Sequence, residues 1–257
     1  MIELSLKTYL IVCPLVFFGG FVDAIAGGGG LITLPAFMMA GIPVHFAQGT
    51  NKLSSSMGLV MAAIQYGRKG LIRYKPALVA AAGSTIGGSL GARALLFIPA
   101  EKAQLMLMIG LPVIATILLT RKSMKREQDD IVDPKTEYTR GFFIGLGCGF
   151  YAGFFGAGGG SFLIMFSVAL LGYSMITASA TAKVINLACD TSALVTYALS
   201  GRVIFALGIP CMLCCSLGSF VGSRMAIKLG SKFVRPVMIA VMSLIFVKLI
   251  YDFTLRI

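Results

Sequence analysis

Apolar runs about as long as a membrane is thick recur along this chain, and they restrict the folds open to it. Residues 103–120 and 236–250 approach the length that a helix needs to cross roughly 30 Å of hydrocarbon. Hydrophobic residues make up 57% of the chain and charged residues 12%, whereas a soluble domain has about a quarter charged residues. The sequence therefore predicts an all-α, polytopic transmembrane bundle that lies in a lipid bilayer.

An internal repeat divides the chain. A shift of 131 residues, without a gap, places Gly27-Gly28-Gly29 on Gly158-Gly159-Gly160, and it places the Thr-x-Lys of Thr50–Lys52 on that of Thr181–Lys183. Agreement of glycine runs and polar residues at one offset indicates two copies of one helical unit. We predict repeat 1 over residues 1–120, a polar linker over 121–139 and repeat 2 over 140–257.

Each repeat is predicted to contain four main helices and one short apolar piece. The main helices are expected near 8–26, 46–66, 76–98 and 102–120, and near 140–157, 177–199, 204–228 and 233–253. The short pieces, Leu31–Ala40 and Ser161–Leu171, are too short for an upright span. We therefore expect about eight main helices and two half-helices or re-entrant segments, each entered through a glycine run.

The basic residues favour inverted repeats. Arg68, Lys69, Arg73 and Lys75 flank the loop after the second main helix of repeat 1, whereas the equivalent loop of repeat 2 has only Arg202. At the next loop the bias reverses. Cytoplasmic loops carry the excess of Lys and Arg, so equivalent loops are expected on opposite sides; parallel repeats are the alternative. The net charge of +12 follows this loop pattern and does not indicate nucleic acid.

The glycine runs are the first candidate site. Consecutive glycines cost about 1 kcal/mol each in a helix relative to alanine, and a break within the membrane is tolerated where it faces protein or a polar cavity. A helix that begins after the break would aim N–H groups and its positive dipole end at that cavity, which suits an anion. A tight helix crossing is the alternative. The predicted substrate-binding glycines are Gly27, Gly28, Gly29, Gly158, Gly159 and Gly160.

Two lysines in apolar helices are the second candidate. A charge there marks a functional site, a paired charge, or a side chain that reaches to the interface. A half-helix that folds back would bring each lysine and its neighbours to the glycine break. The polar side chains predicted to bind the substrate are Thr50, Asn51, Lys52, Thr181, Lys183 and Asn186.

Two aspartates break the repeat symmetry. Asp23 and Asp190 stand where the other repeat has Phe154 and Leu59, and Asp190 shares a helix face with Lys183. An aspartate beside a lysine could neutralise the empty site and let a proton accompany the anion. A purely structural ion pair is the alternative.

Other classes of site receive less support. The sequence has no metal-ligand spacing, catalytic triad or cofactor fingerprint, so we expect neither an enzyme nor a cofactor. Cys211, Cys214 and Cys215 lie in an apolar helix, where inert thiols are favoured. A membrane thiol or electron carrier that uses this cluster is the alternative function. A signalling or assembly subunit that binds partners through residues 127–135 is a third.

The motifs resemble those of the TauE/SafE-type permeases, also called the toluenesulfonate uptake permease family. The resemblance rests on Phe21–Gly30 with Pro35, Gly49–Lys52, Gly153–Phe162 and Ala180–Asn186. It covers nearly the whole chain and implies a multi-pass transporter of the bacterial inner membrane, associated with sulfite, sulfonates and related anions.

We therefore predict a secondary transporter for a small, sulfur-containing oxyanion. It would work by alternating access around a central site formed by both repeats. Protons are the candidate coupling ion.

Overall fold

The computed structural model describes residues 6–106, 129 and 132–230, and the regular structure in these ranges is helical. Repeat 1 contains α1 (Leu6–Ala26), α2 (Gly30–Met39), α3 (Val44–Gly67) and α4 (Tyr74–Leu96). Repeat 2 contains α5 (Pro134–Phe155), α6 (Gly159–Phe166) with a π-helical turn (Ser167–Leu171), α7 (Met175–Leu199) and α8 (Phe205–Leu229). A further helix begins at residue 100 and is described to residue 106.

The predicted all-α architecture with two short helices is confirmed, and the helices lie close to their predicted bounds. The predicted helix near 233–253, most of that near 102–120 and most of the linker fall outside the described residues. One start differs, because α5 begins at Pro134 rather than near 140. The side chain of Asp133 accepts a hydrogen bond from Thr136 N, and proline follows at the first helical position. This cap extends the helix beyond the apolar run from which it was predicted.

The backbone repeats at the predicted offset. Glycines with left-handed φ occur in three pairs separated by 131 residues, namely Gly27 with Gly158, Gly41 with Gly172 and Gly70 with Gly201. Residues with a side chain rarely adopt this conformation. The two repeats therefore share their turns as well as their sequence pattern.

The two repeats run in opposite directions. On the equivalent helices α3 and α7, Gly49 lies against Tyr197, whereas Tyr66, further along α3, lies against Ser179 near the start of α7. Residue numbers rise along one helix as they fall along the other, so the two helices are antiparallel. The predicted inverted arrangement of the repeats is confirmed.

The first helix of each repeat packs against a long helix of the other repeat: α1 packs against α8, and α5 packs against α4. Along α1 and α8, Phe17 lies against Gly218 and Phe21 against Gly222, so these two helices are parallel. The helices α4 and α5 are packed in the same way. Their contact is a double row of glycines, in which each glycine lies against backbone of the opposite helix: Gly83, Gly87 and Gly91 on α4, and Gly145, Gly149 and Gly153 on α5. Small residues allow this close approach.

Two of the described helices are long enough and apolar enough to cross a membrane by length and composition. They are α1 (from Thr8) and α8. The helices α3 and α7 have 24 and 25 residues, but their polar side chains lower the mean hydropathy. Many of those polar side chains are buried inside the bundle, Lys52 and Lys183 among them. The helices α3 and α7 are therefore about as long as the apolar helices. They differ in composition because they carry the polar side chains of the central site.

Replacing Gly149 by alanine is expected to lower the thermal stability of the purified protein. The new methyl group would lie 2.6 Å from the carbonyl oxygen of Ser84 on α4, and overpacking of this kind costs about 1–3 kcal/mol. Gly147→Ala on the same helix is the matched control, because nothing lies within 4 Å of the added methyl group. Thermal unfolding in detergent measures both variants. Equal loss of stability in the two would contradict the packing described.

Candidate functional site

The two glycine runs meet in the middle of the bundle. Ser161 donates from its amide to the carbonyl oxygen of Gly27 (3.2 Å) and from its hydroxyl to that of Ala26 (2.8 Å). A Cβ on Gly30 would overlap the carbonyl of Gly156. Because only residues without side chains let the two main chains come so close, both repeats contribute backbone to one central structure.

Side chains from other helices donate to the last carbonyl groups of α1, where the helix ends at the glycine run; the carbonyl of Asp23 also accepts the helical hydrogen bond from Gly27 N (2.9 Å). The carbonyl oxygens of Asp23, Ala24 and Ile25 accept hydrogen bonds from Lys183 Nζ, Tyr66 OH (2.8 Å) and Ser179 Oγ (2.8 Å), respectively. Helix ends leave such groups without intrahelical partners, and the interior of a membrane protein has no bulk water to replace them. These three donors therefore stabilise the first break.

The second break is held by residues at equivalent positions. Tyr197 donates to Gly153 O (3.2 Å) and Gln48 donates to Phe155 O (2.8 Å). A shift of 131 residues places Tyr66 on Tyr197 and Gln48 on Ser179. These donors were not predicted from the sequence, although the matching pair of tyrosines at the repeat offset is a signal that could have identified them.

A cavity of about 40 Å³ lies beside the two breaks. A water needs about 10–15 Å³ measured in this way, so the cavity has room for about three waters or one small polyatomic ion. Ten of the predicted site residues line it: Asp23, Gly27, Gly29, Asn51, Lys52, Gly158, Gly159, Gly160, Asn186 and Asp190. Polar residues that were not predicted to bind the substrate also line it, namely Thr33, Ser54, Ser55 and Cys215.

Four predicted site residues lie outside the cavity lining, which are Gly28, Thr50, Thr181 and Lys183. The hydroxyl oxygen of Thr50 accepts a hydrogen bond from the amide of Ile204 (3.1 Å), and that of Thr181 accepts one from the amide of Arg73 (3.3 Å). Ile204 and Arg73 are equivalent in the repeat. The two threonines thus fix the loops that precede α8 and α4.

Lys52 forms an ion pair across the interface between the repeats. Its Nζ lies 2.5 Å from Oδ1 of Asp190, and Ser55 donates to Oδ2 of the same carboxylate (2.5 Å). The side chains of Lys52 and Asp190 are 3% and 11% exposed. Because the carboxylate belongs to α7 and the ammonium to α3, movement of one repeat against the other would change this pair.

Lys183 occupies the equivalent position but has a different role. Its fully buried ammonium donates to the main-chain carbonyl of Asp23 and lies 4.0 Å from the carboxylate of that residue. The Asp23 carboxylate in turn accepts a hydrogen bond from Gly29 N (3.2 Å), so it caps the start of α2. A buried charge held in this way positions the first break.

The start of α6 has no such cap. Phe154 stands where repeat 1 has Asp23, and within the described part of the chain the amides of Gly159 and Gly160 have no hydrogen-bond partner. The side-chain amide of Asn186 lies against Gly160. The cavity therefore borders one helix start that already carries a carboxylate and one that does not.

The cysteine cluster is divided between two environments. Cys211 packs among apolar side chains such as Val12 and Val16, whereas Cys215 lines the cavity. All six cysteines are free thiols. Among the described residues, no group of three or more His, Cys, Asp or Glu side chains could hold a metal ion.

Comparison with known proteins gives one consistent result. The family model described as sulfite exporter TauE/SafE matches residues 12–249. The probable membrane transporter protein YfcA of Escherichia coli K12 is 34% identical over 235 residues, which are 91% of this chain and 86% of the relative. The probable membrane transporter protein ORF9 of a Sinorhizobium species is 34% identical over 240 residues, which are 92% of this chain and 90% of the relative.

A third relative, the probable membrane transporter protein of Haemophilus influenzae, is 31% identical over 236 residues, or 92% of each chain. No solved structure was found to match. The family match covers nearly the whole sequence and confirms a multi-pass transporter of the bacterial inner membrane rather than an enzyme. The chain belongs to the sulfite exporter TauE/SafE family of membrane transporters.

Proposed function

We propose that this transporter carries a small, sulfur-containing oxyanion and that the anion binds in the central cavity. The observation that carries the proposal is that Lys52 and the uncapped start of α6, Gly158–Gly160, line the same cavity. A helix start offers N–H groups and a positive dipole end, and the lysine adds a full positive charge. Asn51 and Asn186 line the same space and would orient the oxygens.

The size of the cavity favours a compact anion. Its volume of about 40 Å³ suits an inorganic ion of sulfite size, whereas an aromatic sulfonate would require the cavity to widen. The family description names sulfite, so inorganic sulfur oxyanions are the first candidates for this chain.

The charges around the cavity support coupling to protons. Lys52 is paired with Asp190, and Lys183 with Asp23, so the empty site is electrically balanced. An anion that reaches Lys52 must compete with the Asp190 carboxylate, and two like charges about 4 Å apart repel by about 4 kcal/mol at an effective dielectric constant of 20. A proton on Asp190 removes that repulsion and frees Lys52. One proton would therefore accompany the anion.

Alternating access would follow from the inverted repeats. In transporters of this kind the two halves rock around a fixed site near the middle of the membrane. Here the Lys52–Asp190 pair joins α3 to α7 across that site. The predicted residues outside the lining would then support the site indirectly, with Lys183 holding Asp23 and with Thr50 and Thr181 holding the loops.

Replacing Lys52 by glutamine is expected to weaken anion affinity by about 10- to 100-fold. This range corresponds to the free energy that a hydrogen bond to a charged group contributes. Uptake of labelled sulfite into proteoliposomes measures this, with a small sulfonate for comparison. Lys69→Gln, in the exposed loop after α3, is the matched control.

Since Lys52→Gln leaves Asp190 buried without its partner, which is strongly destabilising, the double variant Lys52→Gln/Asp190→Asn provides a neutral site that keeps the shape of the pair. It should fold and bind the anion weakly. Unchanged affinity in both variants would exclude the proposed site.

Replacing Asp190 by asparagine is expected to uncouple anion transport from the proton gradient. Without a carboxylate to protonate, uptake driven by an imposed pH gradient should fall to the background of empty liposomes. Exchange of external labelled anion for internal unlabelled anion should persist, because it needs no net proton movement. Asp133→Asn removes an exposed carboxylate at the start of α5 and serves as the control. If the variant retains gradient-driven accumulation, Asp190 is not the coupling residue.

A further inference from the structure

The two ends of the bundle carry different side chains at equivalent positions of the repeat. At the end where α3 stops and α7 starts, three polar side chains from separate segments meet. They are Arg73 in the loop between α3 and α4, Glu137 in the first turn of α5, and Tyr173 in the loop before α7. The repeat places Ile204, Leu6 and Ile42 at the equivalent positions of the other end. The three polar residues are called the Arg73 cluster below.

The Arg73 cluster is tightly bonded. Arg73 donates from Nε and Nη2 to the two carboxylate oxygens of Glu137 (2.8 and 2.9 Å), and Tyr173 OH donates to Oε1 (2.5 Å). Glu137 is 2% exposed. The guanidinium carbon of Arg73 lies 5.7 Å from the centre of the Tyr173 ring. Two-point pairing of this type is the strong form of a charged hydrogen bond.

The protonation of Tyr173 and the hydrogen bonds of Asp129 stabilise the Arg73 cluster and the adjacent start of α7. Burial raises the pKa of the Tyr173 phenol, and its contact with Glu137 raises it further, so the hydroxyl remains a donor over the physiological range. The linker residue Asp129 accepts hydrogen bonds from Ser174 N (2.6 Å) and Thr177 Oγ1 (3.1 Å) at the start of α7.

The Arg73 cluster joins the two repeats near α7, a helix whose side chains line the central cavity. Arg73 belongs to repeat 1, whereas Glu137 and Tyr173 belong to repeat 2. The amide of Arg73 also donates to Thr181 on α7, the helix that supplies Asn186 and Asp190 to the cavity. Any opening of this end that separates the repeats must break the contact between Arg73 and Glu137.

Lys and Arg are concentrated at the same end of the bundle. The described basic residues there are Arg68, Lys69, Arg73, Lys75, Lys135, Arg140, Arg224 and Lys228. Those at or near the opposite end are Arg93, Lys102 and Arg202. By the positive-inside rule, the end that holds the Arg73 cluster faces the cytoplasm.

We propose that Arg73, Glu137 and Tyr173 form a latch that holds the cytoplasmic end of the transporter closed, and that the latch opens during each transport cycle. The proposal rests on the alternating access proposed above, but it does not depend on the identity of the anion. The three residues are positioning residues, because they do not contact the substrate.

Cys215 offers a native reporter, because this residue lines the central cavity. A variant with Cys215 as its single cysteine is treated with the membrane-impermeant thiol reagent trimethylammonium-ethyl methanethiosulfonate. The reagent is applied once to inside-out vesicles and once to intact cells. Glu137→Gln is expected to raise the rate of Cys215 modification about tenfold in inside-out vesicles, with no increase in intact cells. Arg73→Lys and Tyr173→Phe should raise it in the same direction by less.

The direction of access distinguishes a latch from a general loosening of the fold. Asp133→Asn, which removes an exposed carboxylate one turn from Glu137, should leave both rates unchanged. Equal acceleration from both sides, or no acceleration, would overturn the proposal. Should Glu137→Gln fail to reach the membrane, Tyr173→Phe carries the test, because it removes a single hydroxyl. The assay needs no substrate, so loss of the Lys52 hypothesis would leave its result intact.

Discussion

A main-chain amide or carbonyl that leaves a helix inside a membrane has no water to bond, and this constraint shapes the centre of the protein. Each repeat breaks a helix at a glycine run, which frees polar backbone groups at the least favourable depth. Side chains of neighbouring helices, such as Tyr66 and Tyr197, donate hydrogen bonds to main-chain carbonyls near the breaks, and the two breaks also bond each other. The cavity lies where these two breaks contact each other.

Symmetry governs the backbone of this protein, whereas charge departs from it. The turns, the helix bounds and the two lysines follow the repeat. The acids do not, since Asp23 caps α2 and Asp190 pairs with Lys52 from the other side of the site. As a result the duplicated lysines have different surroundings, one facing the cavity and one bonding a carbonyl. In the alternating-access mechanism proposed above, the symmetric frame would permit two equivalent open states, and the asymmetric charges would let those states differ in energy.

Much of the fold could be predicted from the sequence, because glycine runs, polar residues in apolar helices and a fixed offset are local signals. The bounds of α1 through α4 followed from them. The site was predicted less completely. Thr50 lies beside Lys52 in sequence, but helical geometry turns it toward Ile204 and away from the cavity. Lys183 bonds the main-chain carbonyl of Asp23 because α1 ends beside it. The position of α1 relative to α7 is a long-range property that no local sequence pattern predicts. Long-range donors such as Gln48 were missed for the same reason.

The exchange of first helices between the repeats has a consequence for biosynthesis. The helix α1 packs along α8, so it enters the bilayer well before its principal partner has been made. Until then the face that carries Gly20 and Asp23 must be tolerated by lipid or by the insertion machinery. Closure of the central site therefore belongs to a late stage of assembly, when the second repeat docks.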